Sequence, residues 1–438
     1  MGVKKVHFIG IGGIGLSALA RYLKQEGYII SGSDIKSTKI TTALENEGMS
    51  VTIPHNASCV NDQDMVVISA VIKEDNVEVI EARKKGIPVL SRREALLFIL
   101  KDRRVFSVCG AHGKSTTSAM MASMVEGSVI IGAESKQFNT NMFYAKSNNV
   151  IFEADESDES FLNSNPYIAV VTNAEPEHME YYNYDFDRFY GAYRHFLESA
   201  KIRVINAEDE FLSTLSELDA IRLYPSVDIK EIQSIIRDGE PYTSFVLKDL
   251  GRFEVWGMGE HIALDASLAI LASIHEMGVD VAREKLKGYK GIKKRFDILH
   301  KSDDFILIDD YGHHPTEIKA TLKSALHYAR MMGQLHVSAI WQPHKYSRTI
   351  DNLESFVECF AGVDKLIILP VWRAGEKEVF IDFEKEFARY APLLADKLKR
   401  VGTCVEVIKD EQCVLNLDKG LVIGFGAGDI TYQLRGVL

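Results

Sequence analysis

A glycine-rich loop with one lysine and two hydroxyl residues, here called the lysine loop, is the strongest chemical signal in the chain. It reads Gly110-Ala111-His112-Gly113-Lys114-Ser115-Thr116 and follows a strand-like run. Backbone N–H groups of such a loop bind phosphate oxygens, the lysine neutralises β- and γ-phosphates, and the hydroxyl suits Mg²⁺. The common phosphate-binding motif would have glycine where this chain has Val108. The compressed motif predicts ATP binding, and a helix start that merely contains a lysine is the alternative.

A second such loop, here called the glycine loop, lies near the N-terminus between a strand-like run and a helical pattern. Its glycines are Gly10, Gly12, Gly13 and Gly15. This spacing permits a tight turn and brings backbone N–H groups to a pyrophosphate at a helix N-terminus. Asp34 follows at about 20 residues, where an acidic side chain commonly binds a ribose hydroxyl. The pattern predicts nucleotide binding without identifying the nucleotide, and a turn that only packs helix against strand is the alternative.

Acidic and imidazole side chains follow two later strand-like runs. Glu153 begins an acidic segment after Val150-Ile151-Phe152. A carboxylate at a strand end beside a phosphate-binding loop is a suitable Mg²⁺ ligand, although an acidic surface loop has the same composition. His178 follows the next such run and is predicted either to bind a metal or to contact a transferred phosphoryl group. A purely structural histidine is the alternative.

Two polar segments lie in the last third of the chain. The first contains Tyr311 and the adjacent pair His313 and His314. Zinc is disfavoured there, because zinc-binding histidines are usually separated by several residues and no cysteine is nearby in sequence. The second contains Lys345 and Arg348, a pair of cations that suits a small carboxylate or phosphate. A solvated basic turn would have the same spacing.

The two loops together restrict the class of enzyme. A dehydrogenase has no need for an ATP loop, and a simple ATPase has no obvious need for a dinucleotide-type turn. A ligase that joins a nucleotide-linked carboxylate to an amine would use both. An NAD-linked oxidoreductase and a nucleotide-binding module without turnover remain the alternatives.

The elements that must position these residues alternate between short β-branched runs and helical patterns, which predicts an α/β fold with parallel sheets. A polar stretch near residue 100 and a basic patch at Lys290–Arg295 divide the chain into 1–100, 101–295 and 296–438. Residues 221–255 lack a helical period and are predicted to be strands or irregular. The long helical pattern at Ala263–Met277 precedes the second boundary.

Composition excludes several classes of protein. The 438 residues carry a net charge of −11, which argues against a protein that mainly binds nucleic acid or an anionic membrane. The five cysteines are scattered and form no framework, as expected in a reducing compartment. No apolar run reaches the length of a membrane span and no signal peptide is recognised, so a cytoplasmic location is predicted.

Nine segments, in this order, resemble the Mur ligase family, and the resemblance covers nearly the whole chain. They are Gly10–Gly15, Ser31–Asp34, Gly110–Thr117, Glu153–Asp158, Thr172–His178, Lys294–Asp297, Asp309–Glu317, Gln342–Thr349 and Gly426–Asp429. The resemblance implies a Rossmann-like N-terminal domain for a UDP-sugar, a central P-loop-type ATPase domain, and a C-terminal Rossmann-like domain that closes over an amino acid. It implies an ATP-dependent ligase that adds L-alanine to UDP-N-acetylmuramate through an acyl phosphate, in peptidoglycan synthesis. A recycling ligase that attaches a murein tripeptide is the alternative.

The resemblance also implies roles for individual residues. The implied catalytic residues are Lys114, Glu153, His178 and Arg295, and the implied metal ligands are Ser115, Glu153 and His178. The implied UDP-sugar site comprises Gly10, Gly12, Gly13, Gly15, Ser17, Asp34, Ser69, Ser157 and Asp158. The implied amino-acid site comprises Tyr311, His313, His344, Lys345 and Arg348.

This chain departs from the family at two kinds of position. Lys345 stands where relatives more often have arginine, and a lysine offers a point charge instead of a planar fork. Ile262 and Asp265 replace two asparagines that suit the edge of adenine. The implied cofactors are ATP and Mg²⁺, and the implied partners are the two small-molecule substrates. A monomer or weak homodimer without nucleic acid or membrane is expected.

Overall fold

A computed structural model describes residues 4–437, in which short strands alternate with helices. The chain forms two compact units. The first contains the described residues up to Lys230 together with 246–251 and 264–290, and the second contains 231–245, 252–263 and the described residues from Gly291 onward. The predicted α/β class is confirmed, whereas the boundaries at 100 and 295 stay predictions. Within residues 4–437, none of the helices combines the length and apolarity needed to cross a bilayer.

The first sheet of the first unit has five strands and four accompanying helices. They are β1 (Lys5–Ile9), α1 (Ile14–Gln25), β2 (Ile29–Ser33), α2 (Lys39–Asn46), β3 (Ser50–Thr52), β4 (Met65–Ile68), α3 (Val77–Lys84), β5 (Val89–Ser91) and α4 (Arg92–Ile99). The strands are parallel, in the order β3-β2-β1-β4-β5. Phe8 and Ile9 of β1 belong to different core clusters, as expected for a sheet covered on both faces. The glycine loop follows β1, between the two halves of the sheet, where open α/β sheets bind ligands.

The second sheet of the first unit has seven strands. Its elements are β6 (Arg104–Cys109), α5 (Lys114–Met124), β7 (Ser128–Ser135), β8 (Thr140–Phe143), β9 (Asn149–Glu153), β10 (Pro166–Val171), α6 (Phe186–Ser199), β11 (Ile202–Asn206), β12 (Ile221–Leu223) and α7 (Pro225–Asp228). The order is β12-β11-β10-β6-β9-β7-β8, with only β7 and β8 antiparallel. The lysine loop follows β6, which lies between β10 and β9. Both loops therefore occupy the same topological position in their sheets.

Residues 221–255, predicted to be strands or irregular, are mostly strands. After β12 and the short α7, the chain forms a three-stranded sheet of β13 (Ile229–Arg237), β14 (Glu240–Leu247) and β15 (Arg252–Trp256). Two helices follow, α8 (Glu260–Ser273) and α9 (Val279–Leu286). The helix predicted at Ala263–Met277 is α8, which begins and ends a few residues earlier.

The rest of the second unit contains a six-stranded sheet and a small antiparallel sheet. The elements are β16 (Asp297–Lys301), β17 (Phe305–Asp310), α10 (Pro315–Met331), β18 (Val337–Trp341), α11 (Tyr346–Asp351), α12 (Leu353–Cys359), β19 (Lys365–Ile368), α13 (Phe383–Glu386), β20 (Leu393–Leu394), β21 (Lys397–Val401), β22 (Cys404–Lys409), β23 (Gln412–Leu417), β24 (Gly420–Phe425) and α14 (Ile430–Arg435). The larger sheet has the order β16-β17-β24-β18-β19-β20, with only β16 antiparallel to its neighbour. The small sheet, β21-β22-β23, was not predicted, because its strands mix charged, polar and apolar residues and lack a long apolar run.

Candidate active site

The lysine loop requires glycine at two positions. Gly110 has φ +138° and Gly113 has φ +83°, values that residues with a side chain rarely adopt. A Cβ at Gly110 would overlap the hydroxyl of Thr172, and a Cβ at Gly113 would overlap the carboxylate of Asp265. The loop is therefore packed tightly against β10 and α8, and its backbone leads directly into α5, where helical N–H groups point outward.

Lys114, the first residue of α5, is held by a buried acid. Its Nζ donates to Oε1 of Glu156 at 2.7 Å and also to the carbonyl oxygens of Gly110 and Ala111. Burial alone would lower the pKa of Lys114, but the charge and hydrogen bond of Glu156 raise it above its ordinary value. Lys114 is therefore a permanent cation at the N-terminus of α5, as binding of a triphosphate requires.

The predicted metal ligands fall into two groups. Ser115 donates its hydroxyl to Oε2 of Glu153 at 2.8 Å, and the backbone N–H of Gly132 donates to the same oxygen. His178, with φ +54°, lies instead in a cluster with Glu156 and Glu177, whose donor atoms are all within 4.8 Å of one another. Oxygen-rich groups of this kind suit a hard divalent cation.

Glu156 and Glu177 were missed as candidate ligands from the sequence. Glu156 lies three residues after Glu153 in the same acidic segment, and Glu177 directly precedes His178, so adjacency was the available signal. One carboxylate oxygen of Glu156, Oε2, is buried and has no hydrogen-bond partner among the described residues. A buried unpaired carboxylate oxygen is a fitting place for a cation.

The glycine loop is held by Asp34, which follows β2. The backbone N–H of Gly12 donates to Oδ2 of Asp34 at 2.9 Å, and a Cβ on Gly12 would lie only 2.8 Å from that oxygen. Gly10 has φ +83° and packs against Ser69 at the end of β4. Asp34, predicted to bind a ribose, thus also holds the backbone of the loop.

The hydroxyl and carboxylate groups of three other residues assigned to the UDP-sugar site form hydrogen bonds within their own segments. Ser17 is fully buried in α1 and donates to the carbonyl of Ile14 at 2.9 Å, so its hydroxyl serves the helix. Ser157 donates to Oδ1 of Asp155 at 2.7 Å, and Asp158 accepts from the backbone of Ser160. These two residues shape the turn after β9.

One cavity of about 240 Å³ connects the two loops within the first unit. It is lined by residues of α1, α4, the lysine-loop helix, β7, β9 and the segment after β9, namely Ile14, Gly15, Ala18, Leu19, Arg92, Lys114, Ile130, Ile131, Gly132, Phe152, Glu153 and Asp155. Gly15 of the glycine loop and Lys114 of the lysine loop therefore face the same space. This is the arrangement that a reaction between two separately bound nucleotides requires.

Arg92 is a cavity residue that the sequence analysis did not select. A Cβ on Gly15 would lie 3.4 Å from Cζ of Arg92, and the guanidinium donates to Asp155 at 3.0 Å. Burial would raise the pKa of Asp155, but Arg92 and the hydroxyl of Ser157 lower it well below its usual range. Arg92 thus places a second cation, besides Lys114, at this cavity.

The residues assigned to the amino-acid site meet in the second unit. Arg295 donates to Glu317 at 3.0 Å, and its guanidinium lies 5.6 Å from the ring centroid of Tyr311. The ring centroids of His313 and Tyr311 are 5.4 Å apart, and the ring centroids of His313 and His344 are 5.6 Å apart. Three segments distant in sequence, at residues 295, 311–317 and 344, therefore share one site.

The electrostatics of this site keep both imidazoles neutral. Burial lowers the pKa of His313 to about 4 and that of His344 to about 4, and the Arg348 guanidinium acts in the same direction. Arg348 lies 3.3 Å from Nδ1 of His344. Lys345 has φ +69° and precedes α11. Cations beside neutral rings form a surface suited to a small carboxylate.

The two residues that replace adenine-binding asparagines lie in different units. Asp265 is nearly buried in the first unit, against Gly113 of the lysine loop. Ile262 belongs to the second unit and packs near Gly257. Asp265 therefore borders the lysine loop, and its role in binding adenine stays a prediction.

Comparisons with known proteins agree along the whole chain. Residues 5–104 match the model described as "Mur ligase family, catalytic domain", residues 108–231 the "Mur ligase middle domain", and residues 294–417 the "Mur ligase, glutamate ligase domain". The UDP-N-acetylmuramate–L-alanine ligase of Campylobacter curvus is 63% identical over 99% of this chain and 100% of its own length. The ligase of the same name from Helicobacter pylori (strain P12) is 53% identical over 99% of this chain and 96% of its own.

Solved structures give the same result for the fold. The UDP-N-acetylmuramate–alanine ligase of Thermotoga maritima superposes with a TM-score of 0.80 at 25% identity, covering 100% of this chain and 98% of that one. A murein peptide ligase from Psychrobacter arcticus superposes with a TM-score of 0.64 at 19% identity over 100% of both chains. The second likeness concerns the fold alone.

Proposed function

The chain belongs to the Mur ligase family, and from this premise we infer that it is an ATP-dependent ligase that adds L-alanine to UDP-N-acetylmuramate. Relatives that carry this activity in their names are 53–63% identical over nearly the full chain. The reaction is a step of peptidoglycan synthesis, and a cytoplasmic location is part of the proposal. The observation that carries the assignment is the single cavity lined by both Gly15 and Lys114.

The glycines and the lysine of the lysine loop are suited to binding ATP. Gly110 and Gly113 carry no side chain and have positive φ, so the loop can turn sharply and present its backbone N–H groups to phosphate. Lys114 is a buried cation whose present partner, Glu156, is the kind of anion that a phosphate would replace. His112, Ser115 and Thr116 complete the predicted ATP-binding segment.

Mg²⁺ fits the two oxygen-rich groups beside that loop. Ser115 and Glu153 would hold one ion, and His178 with Glu156 and Glu177 would hold a second. When bound, the metal would neutralise charge on the phosphate oxygens during transfer. The unpartnered buried oxygen of Glu156 supports its inclusion.

The UDP-sugar occupies the glycine loop in this proposal. The pyrophosphate would lie against the N-terminus of α1, with Arg92 as an additional counter-charge beside Gly15. The lactyl carboxylate of the sugar would then enter the cavity, where Lys114 also points. Proximity and charge neutralisation are the main contributions of the protein to a phosphoryl transfer.

The chemistry proceeds in two steps. A carboxylate oxygen of the sugar attacks the γ-phosphorus of ATP, forming an acyl phosphate and releasing ADP. The neutral amine of L-alanine then attacks the acyl carbon and loses one proton to solvent, and inorganic phosphate leaves from the tetrahedral intermediate. Phosphorylation is needed because an oxide ion is a poor leaving group, whereas phosphate is a good one.

The amino acid binds in the second unit. Lys345 and Arg348 would hold its carboxylate, and the neutral rings of His313 and His344 with Tyr311 would surround the small side chain. Arg295 lies beside Tyr311 and Glu317, and its proposed catalytic role is to neutralise charge on phosphate oxygens. We further propose three domains with boundaries near residues 100 and 295, and a monomer or weak homodimer.

A phosphate-release assay with ATP, Mg²⁺ and UDP-N-acetylmuramate tests the proposal across a panel of amino acids. Release that depends on L-alanine is the expected result. Release with the murein tripeptide L-alanyl-γ-D-glutamyl-meso-diaminopimelate, but not with L-alanine, would indicate the recycling ligase. Nucleotide binding without any phosphate release would favour a binding module, and tight NADH binding would favour an oxidoreductase.

A further inference from the structure

Glu78, in the first turn of α3, is a fully buried carboxylate that the proposed mechanism does not use. It accepts three hydrogen bonds: from Nε2 of His7 at 3.1 Å, from the hydroxyl of Ser33 at 2.6 Å, and from the backbone N–H of Asn56 at 2.7 Å. These donors come from β1, from the end of β2, and from the segment after β3. Glu78 thus connects one helix to three separate parts of the first sheet.

The three hydrogen bonds keep this acid ionised inside the protein. Burial alone would raise the pKa of Glu78, but the hydrogen bonds from His7, Ser33 and Asn56 outweigh burial and lower it below its ordinary value. A buried carboxylate without such donors would be strongly unfavourable. The position of each donor is therefore tied to the position of the carboxylate.

Ser33 transmits this arrangement to the glycine loop. Its carbonyl oxygen accepts from the backbone N–H groups of Gly10 at 2.8 Å and Ile11 at 3.0 Å. The next residue, Asp34, accepts from the N–H of Gly12. Three consecutive amides of the loop are therefore oriented by two adjacent residues, and the side chain of the first is held by Glu78.

We propose that Glu78 is a positioning residue for the UDP-sugar, acting through Ser33 and Asp34 to hold the glycine loop in its binding conformation. The identity of the ligand rests on the proposed function. The same network has a second branch that leads away from the loop, in which Nδ1 of His7 lies 2.8 Å from the hydroxyl of Ser31. This branch provides an internal control, because it shares the network and lacks the contact with the loop.

The test compares four variants by equilibrium binding of UDP-N-acetylmuramate, without ATP, and by hydrogen exchange of the Gly10–Gly12 amides. Glu78→Gln can no longer accept from all three donors. Ser33→Ala removes the side-chain link to Glu78, together with the contact of the same hydroxyl with Nδ1 of His55 at 2.8 Å. It keeps the backbone carbonyl that accepts from Gly10 and Ile11. We expect both to weaken binding about tenfold, the effect of losing roughly one charge-assisted hydrogen bond. Loop amides should also exchange faster, while the KM values for ATP and L-alanine remain those of the wild type.

Ser31→Ala cuts the other branch, and Glu74→Gln changes an exposed acid that pairs with Arg83. Both should bind UDP-N-acetylmuramate like the wild type. The inference would be overturned if Ser33→Ala bound UDP-N-acetylmuramate with wild-type affinity, or if Ser31→Ala lost as much affinity as Ser33→Ala. If Glu78→Gln does not fold, Ser33→Ala alone decides between these outcomes. A wild-type protein that fails to bind the UDP-sugar would instead refute the proposed function, while hydrogen exchange would still report on Glu78.

Discussion

Nζ of Lys114 lies 2.7 Å from Oε1 of Glu156, and the two groups form a buried ion pair at the start of the lysine-loop helix. The lysine side chain is 16% exposed and that of the glutamate 2%. The pair connects the ATP-binding segment to the acidic segment after β9. A bound triphosphate would therefore compete with Glu156 for the lysine, which would leave the carboxylate available to a metal ion.

Lys114→Ala should reduce turnover by about 10³-fold or more, because the phosphates lose their main counter-charge. It should also lower the free energy of unfolding by about 3–5 kcal/mol, since Glu156 is left buried and unpaired. Phosphate release and denaturant unfolding measure the two effects. The double variant Lys114→Met/Glu156→Gln should recover most of the stability and none of the activity. Equal stability of the single and double variants would contradict the ion-pair argument.

Gly113→Ala should raise the KM for ATP, because the new methyl group would collide with Asp265. Gly86→Ala is a matched control: Gly86 has φ +71°, similar to the +83° of Gly113, but open space around its Cβ position. Both substitutions should cost about 1–2 kcal/mol of stability through backbone strain. Only Gly113→Ala should impair ATP binding, and the same rise in KM for both would refute the packing argument.

Arg92→Ala should weaken binding of UDP-N-acetylmuramate about tenfold, because a counter-charge beside Gly15 is lost. The adjacent Arg93 pairs with Glu159 and does not line the cavity, so Arg93→Ala is the matched control. Calorimetric titration of the UDP-sugar into both variants compares them. Equal affinities in the two variants would remove Arg92 from the binding site.

Glu177→Gln should increase the Mg²⁺ concentration needed for half-maximal activity, since one carboxylate of the proposed second site becomes a weaker amide ligand. The exposed Glu180, three residues later, offers the control Glu180→Gln, which should leave the Mg²⁺ dependence unchanged. Metal titrations of phosphate release at saturating substrates make the comparison. An unchanged Mg²⁺ requirement in Glu177→Gln would exclude this residue as a ligand.

The pH dependence of stability should reflect the neutral imidazoles of the proposed alanine site. His313 and His344 have pKa values of about 4, below the ordinary value, so the unfolded chain takes up protons between pH 6.5 and 4 that the folded chain does not. Stability is therefore retained above pH 6.5 and falls as the pH drops towards 4, by about 1.4 kcal/mol per pH unit for each ring. His344→Asn should reduce this dependence of stability on pH by the contribution of one imidazole ring, as measured by denaturant titrations at several pH values. An imidazole resonance of His344 titrating near pH 6.5 would contradict this.

Arg348→Ala should raise the KM for L-alanine about 10- to 100-fold and change that for ATP little, because the proposed partner of this guanidinium is the amino-acid carboxylate. Arg330→Ala, at an exposed position of α10, is a control of the same charge change. Steady-state kinetics with varied alanine distinguishes the two. An unchanged alanine KM would reject the assignment of Arg348.

The sequence alone determined the fold class, the two loops and the order of the chemical motifs, because these depend on local patterns. Glycines at set spacing and apolar runs between helical patterns act over a few residues, so the helix predicted at Ala263–Met277 differs from α8 by only a few residues at each end. The small sheet β21-β22-β23 escaped prediction because only tertiary packing shows which face of each strand is buried.

Only the tertiary structure decided which distant side chains meet. Arg92 and Glu78 carry no local signal, and Glu156 carries only its adjacency to Glu153, since an arginine or glutamate in these segments is equally compatible with a solvated surface. Their significance arises from contacts across 63, 42 and 45 residues of chain, with Asp155, Lys114 and Ser33. Burial then makes those contacts strong, because a charge removed from water must find its partner within the protein.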